Sequence, residues 1–384
     1  MIDVQESDLL VVDDDQLNQM LIGKYLETEG HRVSYASNGF EALAKLAEQS
    51  FDMVLLDIEM PEMNGYQILE QMVGDPRLRD IPVIVTSAIE QLDSVVRCIE
   101  MGAEDYLTKP VNRILLKARI DASLEKKHLR DKQAKHLRQL EREMDIARET
   151  QLSVLPDHLP ELKGFKLGAK IIPARAVGGD FYDVIDFGSQ RWGFMIGDVS
   201  DKGLPAALFM TLTYSLLRAE ASRQTPAKQA LINVNRTLMS MNSASMFVTI
   251  LCGMLDCKQG TFSFARAGHP VPMVLSAEGE FIKIPVNASQ AVGLSDGIIV
   301  DAQTIPFPVG GLILMFSDGL SEACNNKDEQ FGETNLSNFL QDHRHLDPQE
   351  ICEALWKEVQ RYSGDQPQQD DFTILAIRSV FGHP

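Results

Sequence analysis

Short apolar runs alternate with longer amphipathic segments through residues 1–122, and this alternation constrains the fold of that region more than any other feature. Each run contains β-forming residues, and each is followed by a segment with helical periodicity. The runs are Leu9–Val12, Arg32–Tyr35, Met53–Leu56, Pro82–Val85 and Asp105–Leu107. Such alternation predicts an α/β, doubly wound parallel sheet whose ligand site lies at the carboxyl ends of its strands.

Acidic, hydroxyl and ammonium side chains stand at the ends of four of these runs: Asp13-Asp14-Asp15, Asp57, Thr86-Ser87 and Lys109-Pro110. Because parallel strands end at one edge of a sheet, these groups are expected to meet. Taken singly, the first group is an ordinary helix N-cap cluster, with Asp15 capping a helix that begins near Gln16, and Lys109 is an ordinary solvated lysine. The joint pattern favours a site that accepts a phosphoryl group.

The motifs VVDDD, LLDIEMPEMNGYQ, VIVTSA and DYLTKPV resemble the receiver domain of two-component response regulators across this whole segment. The resemblance implies that Asp57 accepts a phosphoryl group from a sensor histidine kinase. It implies the following site: a Mg²⁺ ion held by Asp13, Asp14, Asp57 and the Glu59 carbonyl, phosphate oxygens bound by Lys109 and Ser87, and Tyr106 rotating inward in response. Metal and lysine together supply the charge neutralisation that phosphoryl transfer requires.

Five aspartates form a second set in the carboxy-terminal part of the chain, each at the end of an apolar run or in a turn: Asp180, Asp198, Asp318, Asp370 and Asp371. A single Asp-Gly pair is a common turn. Several in one domain point to a shared site, where gathered carboxylates repel one another unless a cation lies between them. A hard divalent metal is the natural partner of such oxygen ligands.

The motifs GGDFYD, GDVSDKG, AGHP, FSDGLSEA and DDFTIL occur in this order, and residues 150–380 resemble the PP2C-type serine/threonine phosphatases of the bacterial branch that acts on sigma-factor regulators. The resemblance implies an α+β fold, a β-sandwich flanked by helices, with two Mn²⁺ or Mg²⁺ ions at one end. It implies that Asp198 bridges both ions, with Val199 (through its carbonyl), Asp180, Asp318 and Asp370 completing the shells and Asp371 as a further metal-binding neighbour.

Two metal ions about 3.5–4 Å apart acidify a water molecule and clamp phosphoryl oxygens, so a protein nucleophile is not required. Ser200 and Ser317 are accordingly interpreted as turn or supporting hydroxyls. His269 is either a general acid or a structural turn residue, and the structural interpretation is preferred. Asp201 stands where the family frequently has glycine; it either binds the metal site from outside or tightens the turn.

Residues 113–155 contain neither glycine nor proline, which predicts a long helix between the two sites. The predicted division is a receiver domain over 1–122, a helical linker over 123–155 and a phosphatase domain over 156–384. Five linker residues recur at steps of three and four, the pattern of a short coiled-coil seam: Leu137, Leu140, Met144, Ala147 and Gln151. Dimerisation through this seam is favoured over packing of the same stripe on the chain's own phosphatase domain.

The formal net charge of −19 argues against nucleic-acid binding, because a DNA-binding domain needs a basic face. No amino-terminal apolar run is long enough for a signal peptide or a membrane span, which predicts a cytoplasmic protein without a membrane association. The 5 cysteines are odd in number and lack close metal-ligand spacing, as expected of reduced thiols.

These observations predict a response regulator whose receiver controls a metal-dependent protein serine/threonine phosphatase, with a phosphorylated anti-sigma-factor antagonist as substrate. The alternative is a non-catalytic adaptor that binds a sigma factor or its regulator under receiver control. Retention of Asp180, Asp198, Asp318 and Asp370 favours the enzyme. A cyclic-nucleotide enzyme lacks supporting motifs. Whether receiver phosphorylation activates or inhibits is left open.

Overall fold

The structure is a computed structural model that describes residues 6–88, 92–241 and 245–380. It divides into two compact units, Met1–Leu140 and Glu141–Pro384. The predicted domain boundaries at residues 122 and 155 remain predictions, because one continuous helix passes through the junction of the units.

The first unit is a five-stranded parallel sheet with strand order β2-β1-β3-β4-β5. Its strands are β1 (Asp8–Val12), β2 (Arg32–Ala36), β3 (Met53–Asp57), β4 (Val83–Ser87) and β5 (Asp105–Thr108). Its helices are α1 (Gln16–Thr28), α2 (Gly39–Glu48), α3 (Gly65–Gly74), α4 (Leu92–Glu100) and the start of α5 (Arg113–Leu152). The predicted doubly wound α/β fold is confirmed.

The central strands of this sheet are apolar throughout because both of their faces are buried. Leu10 and Leu56 belong to the core on one face, whereas Leu9 and Leu55 belong to the core on the other. A parallel sheet covered by helices on both sides requires such continuous apolar runs. The alternation of short apolar runs and amphipathic segments in the sequence therefore results from this architecture, in which buried strands alternate with helices that cover them.

Local residues determine where two of the helices begin. The Asp15 side chain accepts a hydrogen bond from the backbone N–H of Leu17, which confirms it as the N-cap of α1. The helix α3 begins at Gly65, where a Cβ would lie 2.5 Å from the Asp57 carbonyl oxygen. Only glycine permits this close approach of α3 to the end of β3.

The second unit contains two antiparallel sheets, with strand orders β12-β10-β9-β8-β7 and β11-β13-β14-β6. Its strands are β6 (Phe165–Ile172), β7 (Phe181–Asp186), β8 (Arg191–Val199), β9 (Val248–Asp256), β10 (Thr261–Ala267), β11 (Met273–Leu275), β12 (Asp301–Pro306), β13 (Leu312–Phe316) and β14 (Phe372–Ser379). Its helices are α6 (Leu204–Ser222), α7 (Ala227–Met241), α8 (Asp318–Ser321), α9 (Gly332–Asp342) and α10 (Pro348–Ser363).

The two sheets pack face to face, with Phe194 and Leu251 of one sheet in the same buried cluster as Met315 and Leu375 of the other. The outer face of the first sheet is covered by α6 and α7, and that of the second by α9 and α10. The predicted β-sandwich flanked by helices is confirmed.

The 40-residue helix α5 confirms the predicted long helix. The five residues of the predicted seam do not share one environment along it. Leu137 and Leu140 are 59% and 42% exposed, whereas Gln151 is only 8% exposed and lies within the second unit. Across the described ranges, every helix is too short or too polar to cross a membrane.

Candidate functional site

The first site lies at the carboxyl ends of β1, β3 and β5, where the predicted receiver residues come together. The Lys109 Nζ atom lies 2.7 Å from Asp57 Oδ2 and 2.8 Å from Asp13 Oδ2. Both carboxylates are almost fully buried, so one ammonium group compensates two acids of low solvent access. Ser87 ends the neighbouring strand β4, and Tyr106 is buried on β5 beside it.

Three carboxylates of this site are close enough to share a cation. Asp13, Asp14 and Asp57 each offer an oxygen, and these oxygens all lie within 4.8 Å of one another. Asp14 is exposed while the other two are buried, so the site opens to solvent on the Asp14 side. The backbone N–H of Glu59 donates to Asp57 Oδ1 at 3.3 Å, which places Glu59 at the rim of the same site.

The electrostatics of the first site follow from burial and pairing. Burial raises the pKa of the Asp57 carboxyl above its usual value, although Lys109 acts in the opposite direction. Burial acts to lower the pKa of the Lys109 ammonium, but its hydrogen bonds to Asp13 and Asp57 outweigh that effect and raise it. A divalent cation at this point would favour the charged form of Asp57 that a phosphoacceptor needs.

The second site lies at one end of the sandwich and gathers the five predicted aspartates. Asp180 precedes β7, Asp198 lies near the end of β8, Asp318 begins α8 directly after β13, and Asp370 and Asp371 precede β14. The fold brings them together, because, in addition to burial, the charges of neighbouring aspartates raise the pKa values of Asp180 and Asp198, and Asp371 accepts the Asp180 N–H. Up to about 190 residues separate these aspartates along the chain.

Burial dominates the electrostatics of this second site, and like charges add to it. Burial and the charge of Asp318 raise the pKa of Asp198 to about 8. Burial, followed by the charges of Asp198 and Asp371, raises the pKa of Asp180 well above its usual range. Burial and the charge of Asp370 raise the pKa of Asp318. A cluster of this kind is unfavourable unless protons or cations neutralise it.

One oxygen of Asp180 indicates how that neutralisation is achieved. Asp180 Oδ2 accepts a hydrogen bond of 2.7 Å from Ser317 Oγ, but Asp180 Oδ1 is buried with no hydrogen-bond donor among the described residues. A buried acceptor without a partner is costly. The fit of these carboxylates to divalent cations rests on their mutual charge and on this unpartnered oxygen.

Asp371 has a different environment from the other four aspartates. Its Oδ1 accepts the backbone N–H of Ala174 at 2.7 Å, and its Oδ2 accepts those of Gly179 at 2.6 Å and Asp180 at 3.3 Å. Both oxygens are thus engaged with the loop that carries Asp180. This geometry favours a role for Asp371 in holding that loop. The carbonyl oxygen of Val199 faces the same loop, since a Cβ on Gly179 would lie 3.0 Å from it.

The serine and histidine candidates have structural contacts. Ser317 Oγ also accepts the backbone N–H of Thr373 at 3.1 Å, and Ser200 Oγ accepts that of Phe247 at 2.9 Å. His269 Nδ1 lies 2.9 Å from Thr249 Oγ1, and burial lowers the pKa of His269 to about 3. A neutral, buried imidazole favours the structural interpretation of His269 over general acid catalysis.

Asp201 adopts a φ of 69°, in the left-handed region that favours glycine. This conformation accounts for the frequent glycine at that position of the family motif. The side chain is exposed. Its neighbour Lys202 was not singled out from the sequence, yet Lys202 Nζ lies 2.9 Å from Asp370 Oδ2. An isolated lysine in a loop carries no local signal for such a contact.

Comparison with known proteins identifies the two parts of the chain. Residues 188–380, half of the chain, match the family described as stage II sporulation protein E (SpoIIE), and residues 9–121 match the response regulator receiver domain. Phosphoserine phosphatase RsbU of Bacillus subtilis is 26% identical over 245 residues, which cover 62% of this chain and 71% of RsbU.

Two further proteins are similar to this chain, one over less than half of its own length and the other in fold alone. Protein IcfG of Synechocystis sp. is 28% identical over 262 residues, which cover 61% of this chain but only 41% of IcfG. The SiaA-PP2C domain of Pseudomonas aeruginosa superposes with a TM-score of 0.56 at 24% identity, covering 63% of this chain and 98% of that domain. The second similarity shows a common fold.

Proposed function

Because the chain belongs to the stage II sporulation protein E (SpoIIE) family and carries a receiver domain, we propose that it is a metal-dependent protein serine/threonine phosphatase controlled by phosphorylation of Asp57. The observation that carries the proposal has two parts: burial and neighbouring carboxylates raise the pKa values of Asp180, Asp198 and Asp318, and the buried Asp180 Oδ1 has no hydrogen-bond donor among the described residues. Four acids in this arrangement are destabilising for a scaffold and useful for a metal-dependent hydrolase.

Asp180, Asp198, Asp318 and Asp370 would hold two Mn²⁺ or Mg²⁺ ions, with help from the Val199 carbonyl. Bound ions supply positive charge that acidifies water and stabilises phosphoryl oxygens. The chain's own contribution is to orient the ligands: Ser317 holds one oxygen of Asp180, and Asp371 holds the backbone on either side of Gly179. The hydroxyls of Ser200 and Ser317 are engaged in hydrogen bonds, so neither is assigned as a nucleophile.

In the receiver, Asp57 would accept a phosphoryl group from a sensor histidine kinase. Asp13, Asp14 and Asp57 would hold Mg²⁺ together with the Glu59 carbonyl, while Lys109 neutralises charge on the acceptor. Ser87 ends β4, Tyr106 lies on the neighbouring strand β5, and both would respond to the new phosphate.

The proposed substrate is a phosphoserine or phosphothreonine on an anti-sigma-factor antagonist. Support comes from the similarity to RsbU, a phosphoserine phosphatase, and from the motif resemblance to the bacterial branch that acts on such regulators. A homodimer formed through the exposed part of α5 is a further element of the proposal, supported by the exposure of Leu137 and Leu140.

Hydrolysis of p-nitrophenyl phosphate by the purified chain tests the proposal directly. Activity is expected with Mn²⁺, is expected to disappear with a chelator, and should change when acetyl phosphate is supplied to the receiver. Absence of hydrolysis with Mn²⁺ and with Mg²⁺, in both receiver states, would refute the enzyme and leave the adaptor function. A change in activity that persists in Asp57→Ala would refute control through Asp57.

A further inference from the structure

The last turn of α5 makes a paired contact with a single residue of the phosphatase unit, Gly178. Gln151 Nε2 donates to the Gly178 carbonyl oxygen at 2.6 Å, and the Gly178 N–H donates to Gln151 Oε1 at 3.1 Å. Both residues are buried, whereas Thr150 and Leu152 on either side of Gln151 are exposed. One side-chain amide therefore satisfies both hydrogen-bonding groups of a buried glycine residue.

Gly178 lies two residues before Asp180, so this contact bears on the second site. The next stretch of the loop is held from the other side by Asp371, which accepts the N–H groups of Gly179 and Asp180. A Cβ on Gly178 would lie 2.5 Å from Asp371 Oδ2, so the loop fits closely between the two side chains. Gln151 and Asp371 together determine where the Asp180 backbone lies.

The Asp180 side chain depends on that backbone position. One of its oxygens is hydrogen-bonded to Ser317 at 2.7 Å, while the other points to no donor among the described residues. A movement of the backbone that carries Asp180 would therefore displace its carboxylate from the position that Ser317 helps to hold. Loss of the Gln151 contact would also leave a buried N–H and a buried carbonyl without partners, which favours rearrangement of the loop.

We propose that Gln151 is a positioning residue of the phosphatase site, through which the end of α5 holds the Gly178–Asp180 loop in the geometry that binds metal. This inference rests on the proposed function and adds to it: the site is complete only with the last turn of a helix that begins in the first unit. A shift or rotation of this turn would release Gly178 and disturb Asp180. The prediction that Gln151 belongs to a coiled-coil seam is wrong, because its side-chain amide is hydrogen-bonded to Gly178.

Gln151→Met is the sharpest test, since methionine keeps the length and bulk of the side chain and removes both hydrogen bonds. Mn²⁺ binding to the full chain is measured by titration calorimetry, and hydrolysis of p-nitrophenyl phosphate is measured as a function of Mn²⁺ concentration. The variant is expected to bind Mn²⁺ at the second site about tenfold more weakly, as is typical when a residue supporting a metal ligand is removed. Its hydrolysis should recover at saturating Mn²⁺.

All proteins in this test also carry Asp57→Ala. Any Mn²⁺ binding at the receiver is then the same in each protein, and a difference between them reports the second site. Thr150→Ala, an exposed neighbour in the same turn, serves as the control and should behave as the parent protein does. Gln151→Glu keeps an acceptor for the Gly178 N–H but loses the donor to the Gly178 carbonyl, so it provides a second variant if the methionine protein does not fold.

The outcomes separate this inference from the proposed function. If the parent protein hydrolyses the substrate and both Gln151 variants match it in Mn²⁺ affinity within about twofold, Gln151 has no positioning role. If the parent protein is inactive, the proposed function fails. Mn²⁺ affinity and hydrogen exchange of the 174–181 segment then decide the role of Gln151, with unchanged affinity and exchange in the variants overturning it.

Discussion

Asp198 shows how much of this protein's chemistry depends on single carboxylates. Burial and the neighbouring Asp318 raise the pKa of Asp198 to about 8. The charged form of Asp198, which binds metal, is therefore unfavourable when no metal ion is bound. Asp198→Asn should lower Mn²⁺-dependent hydrolysis by more than about a hundredfold, because it removes charge from the group that orients the cations. The circular-dichroism spectrum should be unchanged. The exposed Asp186→Asn is the matched control, and activity of Asp198→Asn within about twofold of wild type would contradict the assignment.

The same carboxylates predict how the stability of the metal-free protein depends on pH. A carboxyl group with a raised folded-state pKa binds its proton more tightly in the folded than in the unfolded chain. The free energy of unfolding therefore decreases as the pH rises from about 4 to about 8, the interval between the unfolded and folded values for Asp198.

Thermal unfolding in EDTA at pH 5 and pH 8 measures this effect. The transition of the phosphatase unit should move to lower temperature at pH 8, and added Mn²⁺ should reverse much of the change. In Asp198→Asn the decrease should be smaller, which separates the cluster from the general effect of a net charge of −19. An equal decrease in both proteins would argue against the cluster as its source.

Asp57 is expected to be the sole residue that a small phosphodonor modifies. Its Oδ2 atom lies 2.7 Å from Lys109 Nζ, and carboxylate oxygens of Asp13 and Asp14 lie within 4.8 Å of one of its own, close enough to share a cation. Acetyl phosphate with Mg²⁺ should add one phosphoryl group, detected as a shift of intact mass, and Asp57→Ala should abolish the addition. Asp183→Asn in the second unit should not affect it. Labelling that survives Asp57→Ala would identify a different acceptor.

The attachment of α6 to β7 depends on contacts of the buried Asp183 with the buried Tyr214 and with the exposed Arg218. Tyr214 Oη donates to Asp183 Oδ2 at 3.0 Å, and Arg218 Nε lies 3.1 Å from the same oxygen. Asp183 itself is 1% exposed. The contact joins the strand that follows Asp180 to the helix that follows the Asp198 loop, so it supports the position of both.

Tyr214→Phe should reduce the free energy of unfolding of the phosphatase unit by about 1–3 kcal/mol, because it leaves a buried carboxylate with one donor fewer. Urea denaturation followed by tryptophan fluorescence provides the measurement. Ser215→Ala, an exposed substitution on the same helix, should change the midpoint little. A loss no larger than that of Ser215→Ala would show that Arg218 and the Val184 N–H satisfy Asp183 without Tyr214.

The helix α5 is continuous from Arg113 to Leu152, whereas the two compact units divide at Leu140 and Glu141. A rigid helix transmits rotation and register, but a flexible linker transmits only proximity. We expect phosphorylation of Asp57 to alter hydrolysis through this helix, and the direction expected is an increase.

Inserting Gly-Gly-Ser after Arg142 should remove the difference in hydrolysis between the phosphorylated and unphosphorylated proteins. Basal hydrolysis and Asp57 phosphorylation should remain. A seven-residue insertion of alanine, glutamate and lysine at the same point is the control, since about two helical turns restore the rotational phase. Regulation that persists unchanged after the flexible insertion would favour a mechanism independent of the helix.

Most of the elements could be predicted because their signals are local. Alternating apolar runs specify the strands of the first sheet, a glycine-free and proline-free stretch specifies α5, and an aspartate before Gln16 specifies the start of α1. Aspartates in glycine-containing turns can also be recognised from the sequence, because the residues that favour a turn are adjacent in the chain. The sequence by itself therefore determined the fold of the first unit and the position of α5, whereas the sandwich and the candidate ligands of both sites came from the resemblance of ordered motifs to known families.

Only the tertiary structure decided which partner each polar side chain has. Asp371 accepts N–H groups from residues more than 190 positions earlier in the chain, and Gln151 pairs with Gly178 instead of continuing a seam. A helical stripe has the same spacing whether it faces a second chain or its own, so periodicity cannot distinguish the two. Burial and hydrogen-bond pairing depend on contacts between distant segments, and these exist only once the sandwich has closed around them.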